Sequence, residues 1–170
     1  MFFPFKTLFQ SLIAAALVLV LYTGCETTQD EFVGVDGDFV TGSPLPERRE
    51  GVSFMGGGVN RNQFAPVYFS YNSFEVPGSE DGKIVTVAEF MKSSPNDIIV
   101  AGFTDARGTE EYNRVLGERR ALAVRDALIM KGISGSRIQT VSFGEELPAA
   151  SGSSESAYSQ NRRAEIGLIQ

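Results

Sequence analysis

Ile98-Ile99-Val100-Ala101-Gly102-Phe103-Thr104-Asp105, continued by Arg107-Gly108-Thr109-Glu110-Glu111-Tyr112-Asn113 and Leu116-Gly117-Glu118-Arg119-Arg120-Ala121, decides the fold of this chain. The apolar run from Asp97 to Phe103 reads as a buried strand. Thr109 with two glutamates behind it reads as a helix N-cap with acids at the positive end of the dipole. That helix extends to about Met130, and Lys131-Gly132 closes it. Leu116, Ala123, Val124, Ala127 and Leu128 form one stripe, and Arg120 lies on it, four residues from both Leu116 and Val124. Arg119, about 100° around the helix, faces solvent.

A guanidinium at the edge of a core is costly unless it is paired. Asp105 follows the carboxyl end of the strand, the side on which α/β sheets usually hold ligands. An aspartate there can accept from an ammonium, and Arg120 can fork onto a carboxylate. Together they could grip a zwitterion, with an ammonium and a carboxylate on one carbon. The residues alone favour a plainer arrangement, because structural ion pairs outnumber sites. Asp105 would then simply pair with Arg120, or cap the loop before Thr109.

Working outward, Val67-Tyr68-Phe69-Ser70-Tyr71 follows Pro66 and reads as a strand. Ser79 reads as an N-cap, and Ile84, Val87, Ala88 and Met91 have the spacing of an amphipathic helix, which Ser93-Ser94-Pro95 ends. Arg137 to Phe143 is a third strand, Gly144 to Gln160 a loop and Arg163 to Ile169 a last strand. The order βαβαββ implies an α/β fold (an α+β sandwich), with one mixed sheet and two helices on one face. This domain is expected over 63–170.

The formal net charge is −6, which argues against nucleic acid as a partner. There is no histidine and one cysteine, which removes an internal disulfide and a His/Cys zinc site; no cofactor is expected. The apolar run Leu12 to Leu21 behind Lys6 is too short to span a bilayer and suits a signal-peptide core, so residues 1–24 are expected to be a leader. Its removal leaves 14 bases against 21 acids, a net −7. Residues 25–62 are rich in Gly, Pro, Ser and charge and read as a flexible tether. Gly56-Gly57-Gly58 within it lacks the Gly-Lys-Ser/Thr of a phosphate loop.

Leu21-Tyr22-Thr23-Gly24-Cys25 resembles a bacterial lipobox, which implies lipidation of Cys25; the departure is Tyr22, where an aliphatic residue is usual. Several acyl chains, at ~0.8 kcal/mol per buried CH₂, make a durable anchor. Glu26 is not the aspartate that retains such proteins in the inner membrane, which implies the outer membrane.

From about Ala65 to Ile169 the chain resembles the OmpA-like C-terminal domain family, most closely its peptidoglycan-associated lipoproteins. The resemblance rests on Val67-Tyr68-Phe69, the Gly102-to-Asp105 and Arg107-to-Ala121 motifs, Ser142-Phe143-Gly144-Glu145-Glu146-Leu147-Pro148, and Ala157-Tyr158-Ser159-Gln160-Asn161-Arg162-Arg163-Ala164. It implies non-covalent binding of the diaminopimelate of peptidoglycan stem peptides, with Asp105, Arg120, Asn72, Asn113, Asn161 and Arg162 as the ligand-binding set. It also implies a lipid-anchored protein facing the periplasm, a tie between outer membrane and wall, and a periplasmic partner, TolB, of a Tol-Pal system. Phe103 replaces a frequent histidine and Ser70 a frequent aspartate, so a more apolar pocket wall and one charge fewer are expected. Two rivals stand beside this reading. A wall hydrolase could draw carboxylates from Asp105, Glu110 and Glu111, but no histidine base or available cysteine supports it, and Glu110 and Glu111 suit the helix dipole better. The same fold could also hold a different amino acid.

Overall fold

The computed structural model describes residues 52–170. The expected leader, Cys25 and most of the expected tether lie outside the described residues. The elements are β1 (Val59–Asn60), β2 (Val67–Tyr68), α1 (Asp81–Ser93), β3 (Ile98–Phe103), α2 (Glu110–Met130), β4 (Ile138–Gly144), α3 (Glu155–Asn161) and β5 (Arg163–Ile169).

The sheet runs β1-β5-β3-β4, with β2 also on β5. It is mixed, as expected. β3 pairs parallel with β4, Ile98 opposite Ile138, and antiparallel with β5, Val100 opposite Ile166. Two short strands share the outer edge of β5. Val59 sits opposite Ile169 at one end and Val67 opposite Ala164 at the other.

Each face of the sheet has its own core, which is why β3 is buried along its whole length and shows no alternation. On one face Ile98, Val100, Ile138 and Ile166 pack against Ile84, Val87, Ala88 and Met91 of α1 and Ala121, Val124 and Leu128 of α2. On the other face Ile99, Ala101 and Phe103 pack with Phe54 and Val59. Phe103 stacks on Phe143 with ring centroids 5.4 Å apart, and Phe54 tilts against both.

The second core corrects the expected tether. Residues 52–62 read as linker from their glycines, yet Phe54 is buried and Val59 begins a strand. Without them the apolar row Ile99, Ala101 and Phe103 would face water, and burying a phenylalanine there contributes about 2–3 kcal/mol. Gly167 makes the room, since a Cβ on it would lie 2.4 Å from the Val59 Cγ1.

Three local expectations also change. The first strand stops at Tyr68 rather than Tyr71, because Arg120 takes the carbonyls of Ser70 and Ser73. Ser79 does not cap α1. A short 3₁₀ turn, Gly78–Glu80, leads into the helix, and the Glu80 carboxylate accepts from the Tyr68 N–H and from Lys83. The expected loop 144–160 contains α3, whose first turn is capped by the Ser154 side chain accepting from the Ala157 N–H. Thr109 caps α2 as its position suggests, accepting from the Tyr112 N–H.

One close approach fixes the site. A Cβ on Gly102 would lie 1.8 Å from the Gly117 carbonyl oxygen, and one on Gly117 would lie 2.3 Å from the Ser142 Oγ. Two glycines thus let α2 lie directly on β3. Arg120, one turn after Gly117, is brought over the end of β3.

Candidate functional site

A cleft of about 470 Å³ opens at the carboxyl end of β3. Tyr71 and Asn72 from the loop after β2, Thr104 to Thr109 without Ala106, and Tyr112, Asn113, Leu116 and Arg120 from α2 line it. One carboxylate, Asp105, faces two guanidinium groups, Arg107 and Arg120, so the lining is cationic in an acidic protein.

Arg120 is fully buried. Its Nε donates to the Ser73 carbonyl at 2.8 Å, Nη1 to that of Phe103 at 2.8 Å and Nη2 to that of Ser70 at 3.3 Å. The Phe69 ring lies 5.2 Å below it. Among the described residues no carboxylate forms an ion pair with it, so the plain Asp105–Arg120 salt bridge is not the arrangement adopted. Burial pushes its pKa down to about 10, against an upward pull from the nearby Asp105. It is charged at neutral pH, with ~3 kcal/mol standing against that charge. Three of its five N–H groups are engaged, and two remain for an acceptor.

Asp105 is 4% exposed. Its Oδ1 accepts from the Arg107 backbone N–H and Nε, both at 3.1 Å. Its Oδ2 accepts from Arg107 Nη2 at 2.7 Å and Arg162 Nη1 at 3.3 Å. Burial alone would raise its pKa, but the hydrogen bonds from Arg107 and Arg162 outweigh it and hold the carboxyl below its usual value.

Asn113 is buried, its Nδ2 donating to Glu145 Oε2 at 2.6 Å and to the Arg107 carbonyl at 3.3 Å. Asn72 has φ 52°, a left-handed conformation that asparagine tolerates, and its Oδ1 accepts from the Tyr112 hydroxyl. Four of the six expected ligand residues therefore border one cleft. The other two do not. Asn161 clamps the β4–α3 connection through both of its amide atoms on Ala150. Arg162 stands behind Asp105, holding the Phe69 carbonyl and Glu155 as well, so it positions the acid. Phe103 is not a pocket wall. Its ring lies in the second core under Arg163, 3.9 Å away, and only its carbonyl reaches Arg120. Glu110 and Glu111 are exposed and do not line the cleft.

Sequence reading assigned no role to Arg107, Thr104 or Tyr112. Arg107 is gripped between the rings of Tyr71 and Tyr158, 4.1 and 4.3 Å away, and reaches Glu155. Thr104 carries a buried Oγ1 beside the cleft that has no hydrogen-bond partner among the described residues. All three lie inside the motifs around Asp105, but only the fold shows which side chains turn inward.

The fold and this cleft define an OmpA-like domain, and comparison agrees: a model of the OmpA family matches residues 68–162, and the chain belongs to that family. Among its relatives, the chain is 40% identical over 126 residues to the peptidoglycan-associated lipoprotein of Pasteurella multocida, covering 72% of this chain and 84% of that protein. It is 41% identical to the Pseudomonas putida protein of the same description, there covering 58% of this chain and 60% of the relative. In structure it is similar to the peptidoglycan-associated lipoprotein of Burkholderia pseudomallei, with 41% identity, TM-score 0.58, and coverage of 61% of this chain and 87% of that one. The C-terminal domain of Helicobacter pylori MotB shares the fold at 25% identity and TM-score 0.59, over 63% of this chain and 85% of that one.

Proposed function

We propose that this protein binds peptidoglycan non-covalently and tethers the outer membrane to the cell wall, acting as a binder and not as an enzyme. The observation that carries the reading is the buried Arg120 guanidinium, hydrogen-bonded among the described residues to three neutral carbonyls and to no carboxylate, in one cleft with Asp105. An arriving carboxylate would neutralise a desolvated cation through its two remaining N–H groups, and an ammonium would meet Asp105. Diaminopimelate in a stem peptide offers both groups on one carbon. The names of the relatives, peptidoglycan-associated lipoproteins, support the same ligand.

The anchor in this reading is a lipid on Cys25, after removal of 1–24, with the domain facing the periplasm. TolB as a partner, within a Tol-Pal system serving division and envelope integrity, rests on resemblance alone.

Sedimentation of the protein with purified walls tests the reading. Diaminopimelate-type peptidoglycan should carry the protein into the pellet, and lysine-type peptidoglycan should leave it in solution. Equal binding to both would refute diaminopimelate recognition. Release of soluble fragments from the wall would replace binding with hydrolysis.

A further inference from the structure

The carboxylate that should receive the ammonium is already fully used. An ionised carboxylate has about four acceptor positions, and Asp105 fills four, three of them from Arg107 and one from Arg162. An ammonium can reach it only if something leaves. The Arg107 backbone N–H is fixed by the chain, and Arg162 is buried and tied to Phe69 and Glu155. The Arg107 side chain is different. It is 33% exposed and has a second anion within reach, Glu155 Oε2 at 3.4 Å. The rings of Tyr71 and Tyr158 flank its guanidinium and would still hold it after its two side-chain bonds to Asp105 break.

We propose that Arg107 is a displaceable internal cation that holds the place of the ligand's ammonium on Asp105 and lowers the affinity of the cleft for it. Only a ligand bringing its own ammonium replaces it on Asp105, and it then rests on Glu155 between the two tyrosines. This rests on the zwitterion reading above and deepens it. Arg107 keeps the buried acid neutralised, so a ligand with a carboxylate but no ammonium cannot take its place there. Binding at this end of the ligand is thereby a competition between two cations for one carboxylate.

Calorimetric titration tests this with a soluble muropeptide bearing meso-diaminopimelate and the same compound acetylated on its free amine. Arg107→Ala should bind the free-amine muropeptide about tenfold tighter, the equivalent of one charge-assisted hydrogen bond no longer displaced. It should gain nothing for the acetylated one. The acid limb of binding should also move to higher pH in this variant, because Asp105 loses the partner that lowers its pKa. Glu155→Gln, which removes the resting place of Arg107, should weaken binding of the free amine. Weaker or unchanged binding by Arg107→Ala, with the wild-type protein binding normally, overturns the displacement. If the wild-type protein binds neither muropeptide at saturating concentration, the zwitterion reading itself fails, and the displacement with it.

Discussion

Replacing Arg120 with alanine should weaken binding while costing the fold no more than about 3 kcal/mol. Three hydrogen bonds are lost. The Phe103 carbonyl is buried and left orphaned, at about 1–3 kcal/mol. Ser70 and Ser73 lie in a loop open to solvent, so their carbonyls recover water and lose about 0.5–1.5 kcal/mol each. Against this total of about 2–6 kcal/mol stands the relief of a desolvated cation, ~3 kcal/mol from its depressed pKa. The net change in stability therefore lies between a gain of about 1 kcal/mol and a loss of about 3 kcal/mol. Binding loses a charge-assisted contact of about 1.5–3 kcal/mol, which is roughly 10- to 150-fold in Kd. Arg137 supplies the control. It also donates to three carbonyls, those of Met91, Ser94 and Asn96, but away from the cleft. Urea denaturation and muropeptide titration of both variants give the two numbers. Arg137→Ala should lose stability and keep its affinity. A loss above about 5 kcal/mol for Arg120→Ala, or an unchanged Kd, would make Arg120 a strut and refute the reasoning.

Gly102→Ala should destabilise by about 3 kcal/mol or more, because its Cβ would meet the Gly117 backbone oxygen at 1.8 Å and helix and sheet must part; a denaturant midpoint close to wild type would contradict this. Phe54→Ala should cost about 3–5 kcal/mol, measured the same way, and a neutral result would return residues 52–62 to the tether. Asp105 has its folded pKa below the ordinary 3.8, so its contribution to stability is complete above about pH 4 and is lost as pH falls through the folded value. Urea midpoints of Asp105→Asn should therefore draw closer to wild type as pH falls below about 4, and a gap that does not narrow there argues against the shift. Muropeptide affinity should be flat between pH 6 and 8, since there is no histidine, Asp105 is ionised and Arg120 is charged below about 10; a steep change in that window would point to another titrating group.

Much of this was legible in the chain because local and tertiary preferences agree. The β3 run, the Thr109 cap, the place of Arg120 on the inner stripe of α2, and β5 from Arg163 to Ile169 all follow from residue order. Elements that depend on distant partners were hidden. β1 has two residues and exists only because β5 and an apolar sheet face await it. Gly117 and Ala121 belong to the buried stripe because α2 lies on Gly102, which periodicity could not reveal. The helix α3 did leave a signal, Ser154 followed by Glu155. In the cleft, residue type and position singled out Asp105 and Arg120, and the resemblance added Asn72 and Asn113, which border it with them. Residue type could not tell that Asn161 holds a loop, that Arg162 serves Asp105, or that Arg107 occupies it.

The most direct test of the central claim is a chemical-shift titration of the isotopically labelled protein with a muropeptide bearing meso-diaminopimelate. The account predicts saturable shifts at the amides of Thr104, Asp105 and Asn113 and at the Nε–H of Arg120. It would be contradicted by shifts confined to the separate groove around Tyr68, Glu80 and Gln160, or by no shifts at all.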